Sequence, residues 1–392
     1  MREKVFEEGV HNRVLTSCLD RIKADIKIYF GKNSKYRFDD IFICAIYASI
    51  SNTFIESAID ELKLVRDKIP SADRVLDRVG NKDWKELISD FNKLNSKLLK
   101  RFNKKHNDKK FDVGIDYTKV PRYKKNKIKG KRKRADLKKT VKGKSKNGTH
   151  YSHSFCTIDI IKEEDMFTLG VEPVFSDSKK SEVVEKVIKY ANEHIKIGKI
   201  FCDKEFFTTE ILHTFIKIGV DFVVAVPKNK KVKQIIEQMK LRGDSIYWTD
   251  YVLNNKELSV KFTLVIIDKY KIGEIEDPNY KTRFFAYATN ISLNNDLAYS
   301  LSQEFRLRWG EETGYRLEKG FRANTKSLNY KVRCFLFILS LILSNIWIFI
   351  NKVSDDFKPT LEFFGGYIKA HTLRFIIMIA ILNIGSPSFE CG

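Results

Sequence analysis

The sequence predicts an α/β protein with an additional helical domain at its N-terminus. The chain has 392 residues, of which 43% are hydrophobic, so it can form a substantial core and more than one domain. Residues 1–105 carry apolar side chains at helical spacing. From residue 106 onwards, short apolar segments typical of strands alternate with amphipathic segments typical of helices.

The N-terminal domain, residues 1–105, contains several amphipathic helices. The segment "PSADRVLDRVG" begins with a proline and a serine suited to an N-cap, and it ends at a glycine. The segment "KDWKELISDFNKLNSKLLKRF" has apolar residues along one face. Two interpretations stay open for this domain, namely a DNA-binding module and a helical cap on the next domain.

The next part, residues 106–228, predicts the order β-β-β-α-β-α-β. We expect a hairpin meander that leads into right-handed crossovers. Residues 229–297 alternate like strands and contain little helix, so we interpret them as a β-rich insertion. The chain then returns to helix over residues 298–352 and ends in a helical tail, residues 353–392.

One apolar segment raises the question of a membrane. Residues 334–350, "CFLFILSLILSNIWIFI", carry no charge, and their length is at the short edge of a bilayer span. Ser340, Ser344 and Asn345 interrupt the apolar run. We expect a buried helix and no membrane partner, and a membrane protein with a basic domain is the alternative.

The balance of charge favours a polyanionic partner. The formal net charge is +22, and residues 119–148 hold 15 Lys and Arg residues and a single acid, Asp136. This segment is either a solvated loop or a loop that lies along a phosphate backbone. Its candidate phosphate contacts are Lys131, Arg132, Lys133 and Arg134.

The cysteines and the N-terminus indicate a cytosolic protein. None of the six cysteines forms a CxxC pair or has zinc-like spacing with histidine, so we expect reduced thiols. The charged N-terminal segment "MREKVFEEGV" is unlike a signal peptide.

Two aspartates come directly after predicted central strands. Asp116 ends "FDVGID", and Asp203 ends "KIFCD". Ligand and catalytic groups gather at the carboxyl ends of strands in α/β sheets, whereas a single aspartate in this place is usually a turn or capping residue. The occurrence of two such residues on neighbouring strands favours a site.

A third carboxylate lies on the predicted helix "RLRWGEETGYRLEKGF", residues 306–321. We place this helix on a wheel at 100° per residue and take the preceding residue, Phe305, as the centre of one stripe. That stripe combines one carboxylate with three cations, namely Arg308, Glu312, Arg316 and Lys319. The opposite face is apolar and contains two glycines, while Glu311 and Glu318 lie on a flank. The alternative interpretation of the stripe is a solvated face with i,i+4 ion pairs.

Asp116, Asp203 and Glu312 together predict a site for two Mg²⁺ or Mn²⁺ ions, because these cations prefer carboxylate oxygens. Two such ions can activate an attacking oxygen and stabilise a leaving oxygen on phosphorus. Arg308, Arg316 and Lys319 would hold DNA phosphates. Such a site cuts and rejoins phosphodiesters.

These motifs resemble those of the DDE transposases of insertion sequences. The resemblance is strongest to the group with the signature Tyr-x2-Arg-x3-Glu-x6-Lys, which Phe305, Arg308, Glu312 and Lys319 match in spacing, with Phe in place of Tyr. The first acid matches in "GIDYT" and the second in "FCDKEFF", where Glu205 stands in place of the usual glycine. The resemblance covers about residues 110–350.

The resemblance implies an RNase H-like mixed sheet flanked by helices and interrupted by the β-rich insertion. It implies an endonuclease and strand transferase that performs cut-and-paste transposition on double-stranded DNA, at terminal inverted repeats and in target DNA. It also implies a homodimer in a synaptic complex, in the cytoplasm of a prokaryotic cell and on the nucleoid when bound to DNA. The alternatives are an inactive, transposase-derived DNA-binding protein and a nuclease without strand transfer.

Overall fold

The computed structural model describes residues 10–104, 110–123, 138–146, 149–162, 165–277, 279, 282–307, 318–352 and 357–383. The described residues form two compact units. The first unit takes its residues from before 108 and after 312, together with Arg122 and Tyr123, and the second takes the remainder. Each unit therefore has its own core.

The first unit is helical, as the sequence predicts for residues 1–105. Its described α-helices are α1 (Val10–Asp25), α2 (Phe38–Ile50), α3 (Ile55–Lys63), α4 (Ala72–Asn81), α5 (Trp84–Lys104), α10 (Tyr330–Lys352), α11 (Lys358–Phe363) and α12 (Ala370–Asn383). Ser71 is the N-cap of α4, because its side chain accepts a hydrogen bond from the backbone N–H of Arg74. This cap confirms the helix start that the sequence indicates.

Helix α10 is the centre of the first unit. It is long and apolar enough to cross a membrane, yet 94% of its most apolar window is buried inside the protein. It packs against α5, α4 and α2, and Asn345 Nδ2 donates a hydrogen bond to Asn95 Oδ1 of α5 at 2.9 Å. The prediction of a buried helix over 334–350 is confirmed. The sequence groups α10 with the preceding residues 298–329, whereas in the structure its apolar surface completes the helical unit.

The second unit is built on a mixed sheet of nine described strands. In chain order they are β1 (Phe111–Arg122), β2 (Val141–Lys146), β3 (Thr149–Lys162), β4 (Asp165–Val174), β5 (Ile197–Cys202), β6 (Asp221–Ala225), β7 (Ile246–Asn254), β8 (Ser259–Asp268) and β9 (Phe284–Thr289). They lie in the order β2-β3-β1-β5-β6-β9-β8-β7, and β4 pairs with β3. β1, β5 and β6 are mutually parallel, and the pairs from β6 through β9 to β7 are antiparallel. The predicted mixed sheet is confirmed.

Four α-helices of the second unit accompany this sheet within the described residues. They are α6 (Lys180–Asn192), α7 (Thr209–Ile218), α8 (Lys230–Arg242) and α9 (Asn295–Leu307). α6 packs against β3, β4 and α7, and α7 connects β5 to its parallel neighbour β6. Gly219 ends α7 in the left-handed conformation, with φ of 76°, which glycine adopts without steric cost.

The basic segment 119–148 differs from the expected loop at both ends. β1 continues to Arg122, and β2 adds a strand at Val141–Lys146. In β1 the basic side chain of Lys119 is exposed while Val120 is buried, so a strand accommodates the lysine on its outer face. The expectation of a loop was wrong at these two ends, because a high density of charge is compatible with a strand that has one exposed face.

Residues 229–297 contain the three expected strands, which extend the central sheet. β9 pairs with β6 from Val223↔Thr289 to Ala225↔Tyr287, so the sheet is continuous. The segment also begins with α8, a helix that the sequence pattern did not predict. The Asn229 side chain caps α8 by accepting a hydrogen bond from Val232 N at 3.0 Å, and Gly243 ends it with φ of 77°.

Candidate active site

Asp116 and Asp203 occupy equivalent positions relative to two parallel strands, β1 and β5. β1 and β5 pair in register up to Ile115↔Cys202, and each aspartate is the next residue along the chain. Neighbouring strands lie about 4.8 Å apart, and partners in register direct their side chains to the same face. The register therefore places these two residues side by side at the end of β5. Both are half-buried.

The two strands differ beyond the aspartates. β1 continues past Asp116 as far as Arg122, so Asp116 lies within a strand and not at the strand end that the sequence predicts. β5 stops at Cys202, and Asp203 caps a single 3₁₀ turn over Lys204–Phe206. Asp203 Oδ1 accepts a hydrogen bond from the backbone N–H of Glu205 at 2.7 Å, which fixes the orientation of the carboxylate.

Glu205 is held between two lysines beside this turn. Lys119 Nζ lies 3.0 Å from Glu205 Oε2, and Lys180 Nζ lies 3.1 Å from Glu205 Oε1. Partial burial would raise the pKa of Glu205, but the hydrogen bonds and charges of Lys119 and Lys180 outweigh burial and lower it. Glu205 is therefore an ionised carboxylate with two cations already bound to it.

An aromatic pair supports the same turn. The rings of Tyr117 and Phe206 stack with centroids 4.4 Å apart and an interplanar angle of 10°, and Lys180 Nζ lies 4.9 Å from the Tyr117 ring centroid. Burial raises the pKa of the Tyr117 hydroxyl far above its ordinary value, so Tyr117 is neutral at physiological pH. The stack joins the residue after Asp116 to the turn after Asp203.

The donor set at this edge suits a hard divalent cation. Asp116 and Asp203 supply carboxylate oxygens, which Mg²⁺ and Mn²⁺ prefer. The neighbouring thiol of Cys156 is buried, and burial raises its pKa well above the ordinary value, so it does not offer a thiolate. Among the described residues no group of three His, Cys, Asp or Glu side chains is arranged for a metal. The third predicted acid, Glu312, lies outside those residues.

The end of helix α9 lies on the face of the sheet that carries both aspartates. Phe305, near its end, packs on Phe201 with ring centroids 6.3 Å apart, and Phe201 precedes Asp203 by two residues. Lys199 lies two residues before Phe201. Its Nζ atom is 2.9 Å from Glu304 Oε2 of α9 and 3.5 Å from Asp112 Oδ2 of β1. Because side chains alternate along a strand, residues 199, 201 and 203 share one face.

The position of Phe305 differs from the one that the helical wheel predicts. The wheel places Phe305 on a stripe facing away from the apolar side, whereas the side chain is 6% exposed and belongs to the core of the second unit. It also contacts Phe285 with ring centroids 5.0 Å apart. The aromatic ring therefore has a packing role, and the loss of the tyrosine hydroxyl of the signature leaves that role intact.

The other predicted site residues divide into two groups. Arg308, Glu311, Glu312, Arg316 and the basic residues Lys131, Arg132, Lys133 and Arg134 lie outside the described residues. Lys319 is described, and its side chain is exposed in the first unit. Glu318, expected on a flank, is instead 1% exposed and accepts a hydrogen bond from Ser340 of α10.

Lys119 and Lys180 border the candidate site through their contacts with Glu205, although the sequence did not single them out. Lys119 comes three residues after Asp116, within the basic segment that was expected to be a loop. Lys180 begins α6, far from both aspartates in sequence. The available signal was Glu205 itself, because an extra carboxylate beside Asp203 requires nearby cations if it is to stay ionised in a partly buried place.

Comparison with known proteins identifies the fold. A model of the family described as "Transposase DDE domain" matches residues 115–346. No curated protein matches the chain. Among solved structures, the chain is similar to that described as "Cryo-EM structure of piggyBac transposase synaptic complex with hairpin DNA", with a TM-score of 0.52 and 11% sequence identity. That alignment covers 98% of this chain and 81% of the other, and at this identity it shows a shared fold.

Proposed function

The chain belongs to the transposases with a DDE domain, and from this premise we propose that it catalyses cut-and-paste DNA transposition. In this proposal the protein hydrolyses one strand at each end of an element to give a 3′-OH, and it then joins that end to target DNA. The substrates are double-stranded DNA with terminal inverted repeats and a target duplex. Two facts support the proposal, namely the family to which the chain belongs and the two adjacent aspartates of the second unit.

The equivalent positions of Asp116 and Asp203 are the observation that carries the proposal. Two carboxylates on adjacent parallel strands fit a pair of divalent cations, Mg²⁺ or Mn²⁺. We propose Glu312 as the third carboxylate, because it comes seven residues after Phe305, a spacing that puts both on one stripe of the helix that the sequence predicts. Phe305 lies on the face that carries Asp203.

The residues of the site have separate roles in this mechanism. Bound metal ions would activate the attacking oxygen and stabilise the leaving oxygen on phosphorus. Asp116 and Asp203 would supply carboxylate oxygens as ligands to the metal ions. The 3₁₀ turn orients Asp203 through the N–H of Glu205. Arg308, Arg316 and Lys319 bind DNA phosphates, as do Lys131, Arg132, Lys133 and Arg134.

A dimer on two DNA ends is the proposed assembly. The similar piggyBac structure is described as a synaptic complex with hairpin DNA. By analogy, two copies of this chain would bring two element ends together. Measurement of the mass of the complex with end DNA tests this assembly, because a complex with one copy of the chain would contradict it.

The test of the function compares paired substitutions on a labelled duplex from the end of the element, with and without Mg²⁺. Asp203→Asn should abolish cleavage and keep DNA binding, because it removes a ligand charge at the strand end. Asp221→Asn is the matched control, since Asp221 is exposed at the start of β6. Chelation of the metal by EDTA should stop cleavage by the wild type.

A second pair of variants tests the helix stripe. Glu312→Gln should abolish cleavage and leave binding largely intact, whereas Glu311→Gln should retain most cleavage, because adjacent helix residues point about 100° apart. The reverse pattern would contradict the assignment of Glu312. Binding without any Mg²⁺-dependent cleavage by the wild type would identify an inactive, transposase-derived DNA-binding protein.

A further inference from the structure

Lys119 and Lys180 converge on one point from two different elements. Lys119 extends from β1 and Lys180 from the first turn of α6, and both reach the carboxylate of Glu205. Their side chains are 45% and 43% exposed, so both ammonium groups are accessible to a ligand from solvent. Two cations and one carboxylate leave this cluster with a net positive charge.

The point of convergence lies at the edge of the sheet where both aspartates lie, although Lys119 leaves β1 on the opposite face from Asp116, because side chains alternate along a strand. Lys119 comes three residues after Asp116, and the backbone N–H of Glu205 is hydrogen-bonded to Asp203. The Tyr117–Phe206 stack links the same two segments, and Lys180 also lies over the Tyr117 ring. The lysines are therefore held at a defined place on the edge where DNA must lie if the proposed function is correct.

A carboxylate and a phosphate present similar acceptors to lysine. Each offers anionic oxygens that accept charge-assisted hydrogen bonds from ammonium groups, and the phosphodiester keeps its charge under all physiological conditions. Glu205 is 37% exposed, and an ion pair that is partly exposed to water contributes little stability. An incoming phosphate can therefore replace the glutamate on both lysines.

We infer that Lys119 and Lys180 form a binding site for a DNA phosphate at the same edge of the sheet as Asp116 and Asp203, and that Glu205 occupies this site in the DNA-free protein. The inference rests on the proposed function, because it assumes a DNA substrate at this edge. It assigns Glu205 a regulatory contact that DNA must displace. It also assigns phosphate binding to two lysines that the signature does not include.

Two other roles for Glu205 predict different results. If Glu205 only held the lysines in the correct place for DNA, its removal would weaken DNA binding. If it were a metal ligand, its removal would reduce cleavage while DNA binding in the absence of metal stayed unchanged. Measurement of binding without metal separates these roles from displacement.

The experiment uses the full chain and a fluorescein-labelled duplex of mixed sequence, in EDTA. Fluorescence anisotropy gives the Kd at several salt concentrations for the wild type, Glu205→Gln, the double variant Lys119→Gln with Lys180→Gln, and the triple variant. Glu185→Gln is the matched control, because Glu185 is also paired with two lysines, Lys189 at 2.8 Å and Lys217 at 3.9 Å, on the helices α6 and α7.

We expect Glu205→Gln to bind the duplex about three- to fivefold more tightly than the wild type, because an exposed ion pair no longer competes with DNA. The double lysine variant should bind less tightly, and its plot of log K against log salt should be shallower by roughly 0.9 for each phosphate that is no longer neutralised. In the triple variant, Glu205→Gln should have no effect beyond that of the two lysine substitutions. Glu185→Gln should behave like the wild type.

Each contrary result has a definite meaning. Unchanged or weaker binding by Glu205→Gln would overturn the inference, and so would an unchanged salt slope in the double lysine variant. The proposed function would survive either result if Asp203→Asn still abolished Mg²⁺-dependent cleavage. Failure of the wild type to bind any DNA would overturn both. Thermal unfolding of each variant checks that the fold is retained.

Discussion

At the scale of single residues, Phe305 shows why the position of a side chain depends on the whole core. A helical wheel gives the relative directions of residues, but it does not show which direction faces the sheet. The charged residues after Phe305 suggested an outward stripe, and the structure places the ring between Phe201 and Phe285. By contrast, the adjacent register of Asp116 and Asp203 could be predicted from the sequence, because each comes directly after an apolar segment typical of a strand.

Phe305→Ala should lower the free energy of unfolding of the second unit by about 3–5 kcal/mol, because it leaves a cavity in the core. Leu241→Ala is the control, since Leu241 is 89% exposed and its truncation should change stability by less than about 0.5 kcal/mol. Urea denaturation measured by fluorescence gives both values. A stable Phe305→Ala protein would show that α9 does not depend on this packing.

At the scale of elements, most of the fold was predictable from local patterns. The helices of residues 1–105 and the strand and helix alternation of 106–228 could be predicted from hydrophobic periodicity, and the buried helix α10 from an uncharged apolar run. β2 was not predicted because its lysines resemble a solvated loop, although pairing with β3 supplies the order that its own sequence lacks. The order in which β9, β8 and β7 extend the sheet depends on long-range pairing, which a single sequence does not encode locally.

The polar residue Ser340 of α10 has a structural role within the helical unit. Ser340 interrupts an apolar run, and in the structure its hydroxyl donates a hydrogen bond to the buried carboxylate of Glu318. Arg322 Nη1 lies 3.7 Å from the same carboxylate. Because a buried charge requires such partners, the serine stabilises the carboxylate beneath it.

Ser340→Ala should destabilise the first unit by about 1–3 kcal/mol, because a buried carboxylate loses its donor. Ser344→Ala is the matched control, since it makes the same change one turn along α10 and leaves the hydrogen bond to Glu318 in place. Denaturation curves for the two variants give the difference. Equal stability of both proteins would show that Arg322 alone satisfies Glu318.

At the scale of the whole molecule, the excess of positive charge should govern binding to DNA. The chain has 72 Lys and Arg residues against 50 Asp and Glu residues. Within the basic segment, residues 124–137 can be removed without cutting a described strand. They lie between Tyr123 and Lys138. This segment holds eight of the basic residues, including Lys131, Arg132, Lys133 and Arg134.

Replacement of residues 124–137 by a short Gly-Ser linker should weaken DNA binding and flatten its dependence on salt, because fewer counterions are released on binding. The loss should be similar for end DNA and for unrelated DNA, since phosphate contacts carry no sequence information. Binding titrations at several salt concentrations measure the slope. A slope equal to that of the wild type would show that this segment does not contact DNA.

The helical unit contains residues from before and after the sheet unit in the chain, and this division affects folding during synthesis. Helices α1, α2, α4 and α5 are synthesised before the sheet unit, but α10, against which all four pack, begins only at Tyr330. At synthesis rates of about 5–20 residues per second, the apolar surfaces of α4 and α5 wait roughly 10–45 s for α10. During that interval the strands of the sheet unit are synthesised, and the early helices expose apolar surface to chaperones and proteases. A message truncated before α10 would therefore yield a polypeptide that the cell removes.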